Sequence, residues 1–253
     1  MPLPNAQTSL HKQAGARAGS ETNMAKNKSS EKGADGFQIS KAVIENLYEL
    51  QPAHKIIIPN DETTKTSSKR TGIVRGYAAN TNQGLVRNYN EDRVSIITNL
   101  LPPKERTDIS PSNWPKCSYF GIYDGHGGSM CADFLRDSLH TYVIMDPCFP
   151  NDPKQAIVNG FAKAEQDFMA KVYDPATNTL KDKSGSCAIV VLIINETCYV
   201  ANVGDSRAVM SSNGGKQTIP LSFDHKPGDR KEAERIKEAG GEIYYRTATN
   251  EII

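Results

Sequence analysis

Asp124-Gly125-His126-Gly127-Gly128 closes an apolar run that begins at Tyr119. A carboxylate at the end of a buried strand is placed for metal chemistry, and flanking glycines let backbone carbonyls approach the same ion. The same residues also suit a plain strand-to-helix turn, and the stretch alone does not decide. Three further acidic islands stand at strand ends or in turns: Glu91-Asp92, Asp205 and Asp224. Each alone reads as a cap or turn residue; together they resemble convergent hard oxygen ligands. No His/Cys cluster has zinc spacing, and carboxylates with a glycine carbonyl suit Mg²⁺ or Mn²⁺. Two such ions sharing a carboxylate acidify a bridging water into a nucleophile. His126 is placed to protonate a leaving group. The planar fork of Arg87 suits a pair of anionic oxygens. Arg93, next to the acidic pair, reads as a local ion-pair partner. Charge, acid, water and arginine in one site point to hydrolysis of a phosphate ester. No serine elbow, P-loop or nucleophilic CxxxxxR pattern is present.

The elements that must hold these residues are legible in outline. Strands are expected over 73–79, 94–98 and 117–123, with the proline-bearing segment 99–116 read as an inserted loop. Helical periodicity follows over 128–143 and again over 153–172, where Ala156, Ile157, Phe161, Ala164, Phe168 and Val172 share one face. Ala188–Ile194 has no polar alternation and reads as a strand covered on both faces. Asn195-Glu196 turns it into a hairpin with Thr197–Val203. A strand resumes at Arg207–Met210, and Asn213-Gly214-Gly215 makes a second hairpin turn. A charged helix over 229–239 ends at Gly240-Gly241, and a strand follows over 242–245. Hairpins with two consecutive amphipathic helices give an α+β fold: a β-sandwich of two antiparallel sheets flanked by helices, layered α/β/β/α.

Residues 1–70 form a separate region. Positions 1–36 lack the apolar residues needed to offset the entropy of ordering and are expected to be disordered. Residues 38–50 have near-helical apolar spacing and suggest a short helix, and 60–70 read as linker. The body runs from 71 to 253. The chain carries 30 Lys+Arg and 29 Asp+Glu, a net charge of +1, which makes no case for nucleic acid or an acidic membrane as partner. No apolar run reaches the roughly 18 residues of a spanning helix. The opening Met1-Pro2-Leu3 lacks a signal-peptide pattern, and Pro2 stands where myristoylation needs glycine. The five cysteines form no CxxC pair, so reduced thiols in a cytosolic or nuclear protein are expected.

The body resembles the metal-dependent protein serine/threonine phosphatases of the PP2C (PPM) family. The motifs occur in order: Arg87-Asn88-Tyr89-Asn90-Glu91-Asp92; Phe120-Gly121-Ile122-Tyr123-Asp124-Gly125-His126-Gly127-Gly128; Ser184-Gly185-Ser186-Cys187-Ala188, with Cys187 where the family usually has Thr; Ala201 to Ala208; Leu221 to Pro227; and Glu234-Arg235-Ile236 with Ala239-Gly240-Gly241. The resemblance implies hydrolysis of phosphoserine and phosphothreonine in proteins by a monomeric enzyme carrying two Mg²⁺ or Mn²⁺ ions, with a third, weaker one. It implies that Asp124 bridges the two ions, that Glu91 and the Gly125 carbonyl complete one of them, and that Asp205 serves the third. Asp92 would hold the attacking water, Arg87 the substrate phosphate, and His126 would act as general acid. Lys226 would lie near the phosphate. The family pattern continues past Ile253 with further aspartate motifs, so the sandwich and the metal set are expected to be incomplete at the C-terminus. Two readings follow: the N-terminal part of an active phosphatase, or a short form without turnover that binds phosphoproteins. The first is favoured as the family function, with weak or no turnover expected from this polypeptide alone.

Overall fold

The seven residues Cys117–Tyr123 form the inner strand around which the fold is assembled, in a computed structural model that describes residues 64–246 and 251–252. The expected helix over 38–50 lies outside the described residues. In chain order the strands and helices are β1 (Lys65–Ser67), β2 (Tyr77–Ala79), β3 (Arg93–Ile97), β4 (Cys117–Tyr123), β5 (Gly125–His126), α1 (Met130–Met145), α2 (Pro153–Val172), β6 (Tyr173–Asp174), β7 (Thr179–Leu180), β8 (Gly185–Ser186), β9 (Ala188–Ile194), β10 (Thr197–Val203), β11 (Val209–Ser212), β12 (Gln217–Pro220), α3 (Arg230–Glu238), β13 (Tyr245–Arg246) and β14 (Glu251–Ile252).

The main sheet has the order β10-β9-β4-β3, and every pairing is antiparallel. Strand alternation sends Cys117, Tyr119 and Tyr123 of β4 to one face with Ala188, Val190, Leu192 and Ile194 of β9. That face meets Leu139 and Val143 of α1 and Ala156, Ile157 and Ala164 of α2 in a single apolar core. Each such large side chain contributes about 1.5–3 kcal/mol when fully withdrawn from water. The Tyr119 and Tyr123 hydroxyls, both fully buried, satisfy each other at 2.8 Å. The opposite face is less covered, with Ile122 48 % exposed.

Helix starts follow their capping chemistry. Asp152 caps α2 by accepting from the Gln155 N–H, with Pro153 at the first helical position. Asp229 caps α3 by accepting from Lys231 and Glu232 N–H groups. The other described strands form separate two-stranded antiparallel pairs, including β1–β2 and β11–β12. One correction concerns the linker. Lys65–Ser67, placed in it by sequence, pair in register with Tyr77–Ala79 instead. Short polar strands of this kind are specified by their partner, not by their own pattern.

The long loop after β3 is held by a buried arginine that sequence does not single out. Arg106 is 6 % exposed. It donates to the Ile144 and Asp146 carbonyls at the end of α1, to the Phe149 carbonyl, and bidentately to Asp108. Trp114 closes the loop, donating to the Leu100 carbonyl at 2.9 Å and packing on Phe149 with ring centroids 5.2 Å apart. Replacing Arg106 by Ala strands the Ile144 and Phe149 carbonyls without donors. The expected cost is about 3 kcal/mol, read as a lower urea midpoint with unchanged slope. Asp108→Ala, at a 60 % exposed side chain, is expected to cost under about 1 kcal/mol.

Candidate metal centre

The register of β3 against β4 places Arg93 opposite Tyr123, so the residues just beyond both ends, Asp92 and Asp124, emerge side by side. Gly125 then packs so tightly on Glu91 that a Cβ there would collide with the Glu91 carbonyl oxygen. Only glycine fits that approach. The result joins three acids. The Asp92 carboxyl is pushed up first by burial and then by the neighbouring Asp124 carboxylate, which also lies within hydrogen-bond reach; the Gly125 backbone pulls it the other way. Glu91 Oε1 accepts from the Gly128 N–H at 2.6 Å and from the Tyr89 hydroxyl at 3.3 Å.

An arginine clamp holds this loop. Arg93 donates through Nη1 to the Asn90 and Asp92 carbonyls and through Nε and Nη2 to the Asp133 carboxylate on α1, the shortest bond being 2.6 Å. The sequence reading of Arg93 as an ion-pair residue agrees with this, but its partner lies forty positions away.

The second wall comes from β8 and the turns after β10. Gly125 pairs with Ser186 and His126 with Gly185, and the Asp124 carbonyl accepts from the Cys187 N–H at 2.9 Å. Asn202, 1 % exposed, donates to both the Gly204 and Phe223 carbonyls. His225 N–H donates to the Gly204 carbonyl at 3.0 Å. These bonds set Asp205 beside Cys187 and Asp124. One ligand atom from each of Asp124, Cys187 and Asp205 lies within 4.8 Å of the others.

Not every expected residue joins the cluster as foreseen. Asp224, grouped with the acidic islands, is taken up by Arg207 through two bonds of 2.7 Å and by Lys226 at 3.2 Å. Those cations hold its carboxyl far below the usual range, and its oxygens are not free to serve an ion. Lys226 also reaches Asp205 at 3.3 Å. His126 is exposed, its ring against Gly185, and its side chain makes no hydrogen bond among the described residues. Arg87 is exposed and likewise unpaired among them. In sequence Cys187 is only a departure from a motif; its contact with the acids depends on pairing between strands far apart in the chain.

A divalent cation fits the chemistry of this donor set. Glu91, Asp92 and Asp124 repel one another, and none has a Lys or Arg ion-pair partner among the described residues. Hard oxygens gathered with uncompensated charge suit an oxygen-seeking divalent ion.

Comparison with known proteins agrees. A sequence model described as Protein phosphatase 2C matches residues 87–252. "Probable protein phosphatase 2C 56" of Oryza sativa subsp. japonica is 33 % identical over 191 residues, covering 72 % of this chain and 49 % of that protein. "Probable protein phosphatase 2C T23F11.1" of Caenorhabditis elegans is 42 % identical over 132 residues, 52 % of this chain and 35 % of that one. The chain thus spans about half or less of the length of these relatives. The crystal structure of serine-threonine phosphatase 2C from Toxoplasma gondii shares the fold with a TM-score of 0.51 at 22 % identity, over 66 % of this chain and 55 % of that one.

The Arg93–Asp133 clamp gives a pH prediction. Arg93 holds the Asp133 carboxyl below its ordinary range. A depressed carboxyl stabilises the fold above its unfolded pKa and loses that contribution as pH falls below about 4. Asp133→Asn is expected to cost roughly 0.5 kcal/mol near neutrality, after solvent screening, and to flatten the acid side of the stability profile. Urea unfolding at stepped pH measures both.

Proposed function

The chain belongs to the protein phosphatase 2C family, and from that premise we propose that it hydrolyses phosphoserine and phosphothreonine in proteins. The single observation that carries the reading is the forced contact of the Asp92 and Asp124 carboxyls beside Gly125 and Glu91, without a Lys or Arg ion-pair partner among the described residues. Asp124, with Glu91 and the Gly125 carbonyl, would hold two ions, Mg²⁺ or Mn²⁺. Asp205 is assigned to a third, more weakly held ion. That weakness has a cause: its carboxylate is already engaged by Lys226. Ions held there supply Lewis acidity that lowers the pKa of water and neutralises phosphate charge.

The protein's own residues would do the rest. The Asp92 carboxylate orients the attacking water in line with the phosphorus. Arg87, exposed and unpaired among the described residues, presents its guanidinium to two non-reacting phosphate oxygens. His126 gives a proton to the serine or threonine oxygen as the P–O bond breaks. Lys226, which lies between Asp205 and Asp224, adds positive charge on the phosphate side. Water oxygen joins phosphorus, and the products are inorganic phosphate and the free hydroxyl.

The partners are phosphorylated proteins in signalling, met by a monomer whose catalytic domain occupies residues 71–253, extended at its start by β1. A reducing compartment, cytosol or nucleus, suits the five unpaired cysteines. No helix among the described residues is long and apolar enough to cross a membrane.

The test is phosphate release from a phosphothreonine peptide by the 253-residue chain. Weak release is expected with Mn²⁺, lost in EDTA, and reduced by at least about 100-fold in Asp124→Asn. Release that survives EDTA, or Asp124→Asn turning over like the parent, would sink the proposal. Peptide binding without release would transfer the assignment to a phosphoprotein-binding module.

A further inference from the structure

Cys187 brings a thiol to a centre otherwise built from oxygen. Its Sγ lies 3.6 Å from Asp205 Oδ1, and the sulfur, a carboxylate oxygen of Asp205 and one of Asp124 all stand within 4.8 Å of one another. The thiol is seated from behind. Gly204 has φ of 104°, and a Cβ there would collide with Cys187 Sγ, so the sulfur fills space that any other residue at 204 would take. Asp205 divides its two oxygens. Oδ1 faces the thiol, while Oδ2 faces Lys226 at 3.3 Å. Engagement with Lys226 therefore leaves Oδ1 directed into the cluster.

We propose that Cys187 is a metal ligand, and that Asp124, Cys187 and Asp205 together form a site selective for thiolate-preferring divalent cations such as Zn²⁺, Co²⁺ or Cd²⁺. The inference rests on the assignment of Asp124 as a metal ligand and goes beyond it in naming a soft donor. Zinc bonds of about 2.3 Å to sulfur and about 2.0 Å to oxygen put tetrahedral ligand atoms about 3.5 Å apart. The Cys187–Asp205 contact already has that separation; Asp124 closes the remaining gap by a side-chain rotation. The thiol proton leaves to solvent as the ion binds. Thiolates favour Zn²⁺ and its neighbours, whereas carboxylate and carbonyl sets favour Mg²⁺ and Mn²⁺. One sulfur among the acids thus biases the site away from magnesium. A fourth position stays open to solvent, because Asp124 and Asp205 are exposed.

The experiment uses the full chain with Co²⁺ as the probe and a sulfur-to-cobalt charge-transfer absorption in the near ultraviolet as readout. Mn²⁺ binding, followed by loss of its free-ion magnetic resonance signal, runs in parallel. The parent chain is expected to show the band, and Cys187→Ser to lose it with a Co²⁺ affinity lower by about 10–100-fold while Mn²⁺ binding persists. Cys148→Ser, at the other partly exposed thiol nearest a run of acids, is expected to keep the band. A parent chain that binds Mn²⁺ but shows no band with Co²⁺, or a band that survives Cys187→Ser, overturns this inference and leaves the phosphatase reading intact. Failure of the parent to bind either ion overturns the phosphatase reading as well. A near-ultraviolet circular dichroism spectrum matching the parent shows that Cys187→Ser is folded. If it is not, the presence or absence of the band in the parent, together with its persistence in Cys148→Ser and its loss in Asp205→Asn, decides the matter.

Discussion

Carboxylates that repel one another remain together here because the backbone gives them no other place. The packing of Gly125 onto Glu91 is that constraint. It depends on β3 and β4 being in register, on β4 being clasped by β9 on its other side, and on the Arg93 fork tying the 90–92 loop to α1. The Asp92 carboxyl is raised first by its burial and then by the Asp124 carboxylate beside it. The core formed by the sheet, α1 and α2 offsets the repulsion through buried apolar area, which is non-directional and abundant. Folding energy from a region without chemistry thereby holds a chemically useful conflict in place.

Much of this was legible before any coordinates. β4, α2, β9 and β10 coincide with runs whose apolar periodicity is strong, and the Asn195-Glu196 turn carries the positive φ that its asparagine tolerates. Glu91, Asp92, Asp124 and Asp205 stand out in the sequence because acids at strand ends leave a visible mark. What was not legible was pairing at a distance. Nothing local says that Arg207 and Lys226 neutralise Asp224, that Arg93 reaches Asp133, or that Arg106 stops the end of α1. Cys187 read as a small residue before a buried strand; its place among acids follows only from the stitching of β5 to β8 and of the Gly204 turn to His225. β1 was missed because three polar residues have no pattern of their own.

The buried polar contacts follow one rule in different places. Arg106 spends every donor on carbonyls and one carboxylate, Asn202 joins two turns through one amide, and the paired tyrosines satisfy each other in an apolar setting. Arg106 and Asn202 lie where a loop leaves regular structure and its carbonyls would otherwise face no donor. Unpaired polar atoms in such positions cost more than their hydrogen bonds gain, so these residues act mainly by preventing loss.

The charge balance around the cluster also fixes an order of events. Glu91, Asp92, Asp124, Asp205 and Asp224 bring five carboxyl groups into one neighbourhood, while Lys226 and Arg207 answer mainly Asp205 and Asp224. The Glu91–Asp92–Asp124 side keeps an electronegative surplus, and a dianionic ester approaching it meets a barrier, not a funnel. Bound cations would reverse that field. On the proposed function, encounter with a phosphorylated ligand would therefore be sequential, with the ions first, and its rate would respond to the ionic strength and to the cation supply of the surroundings.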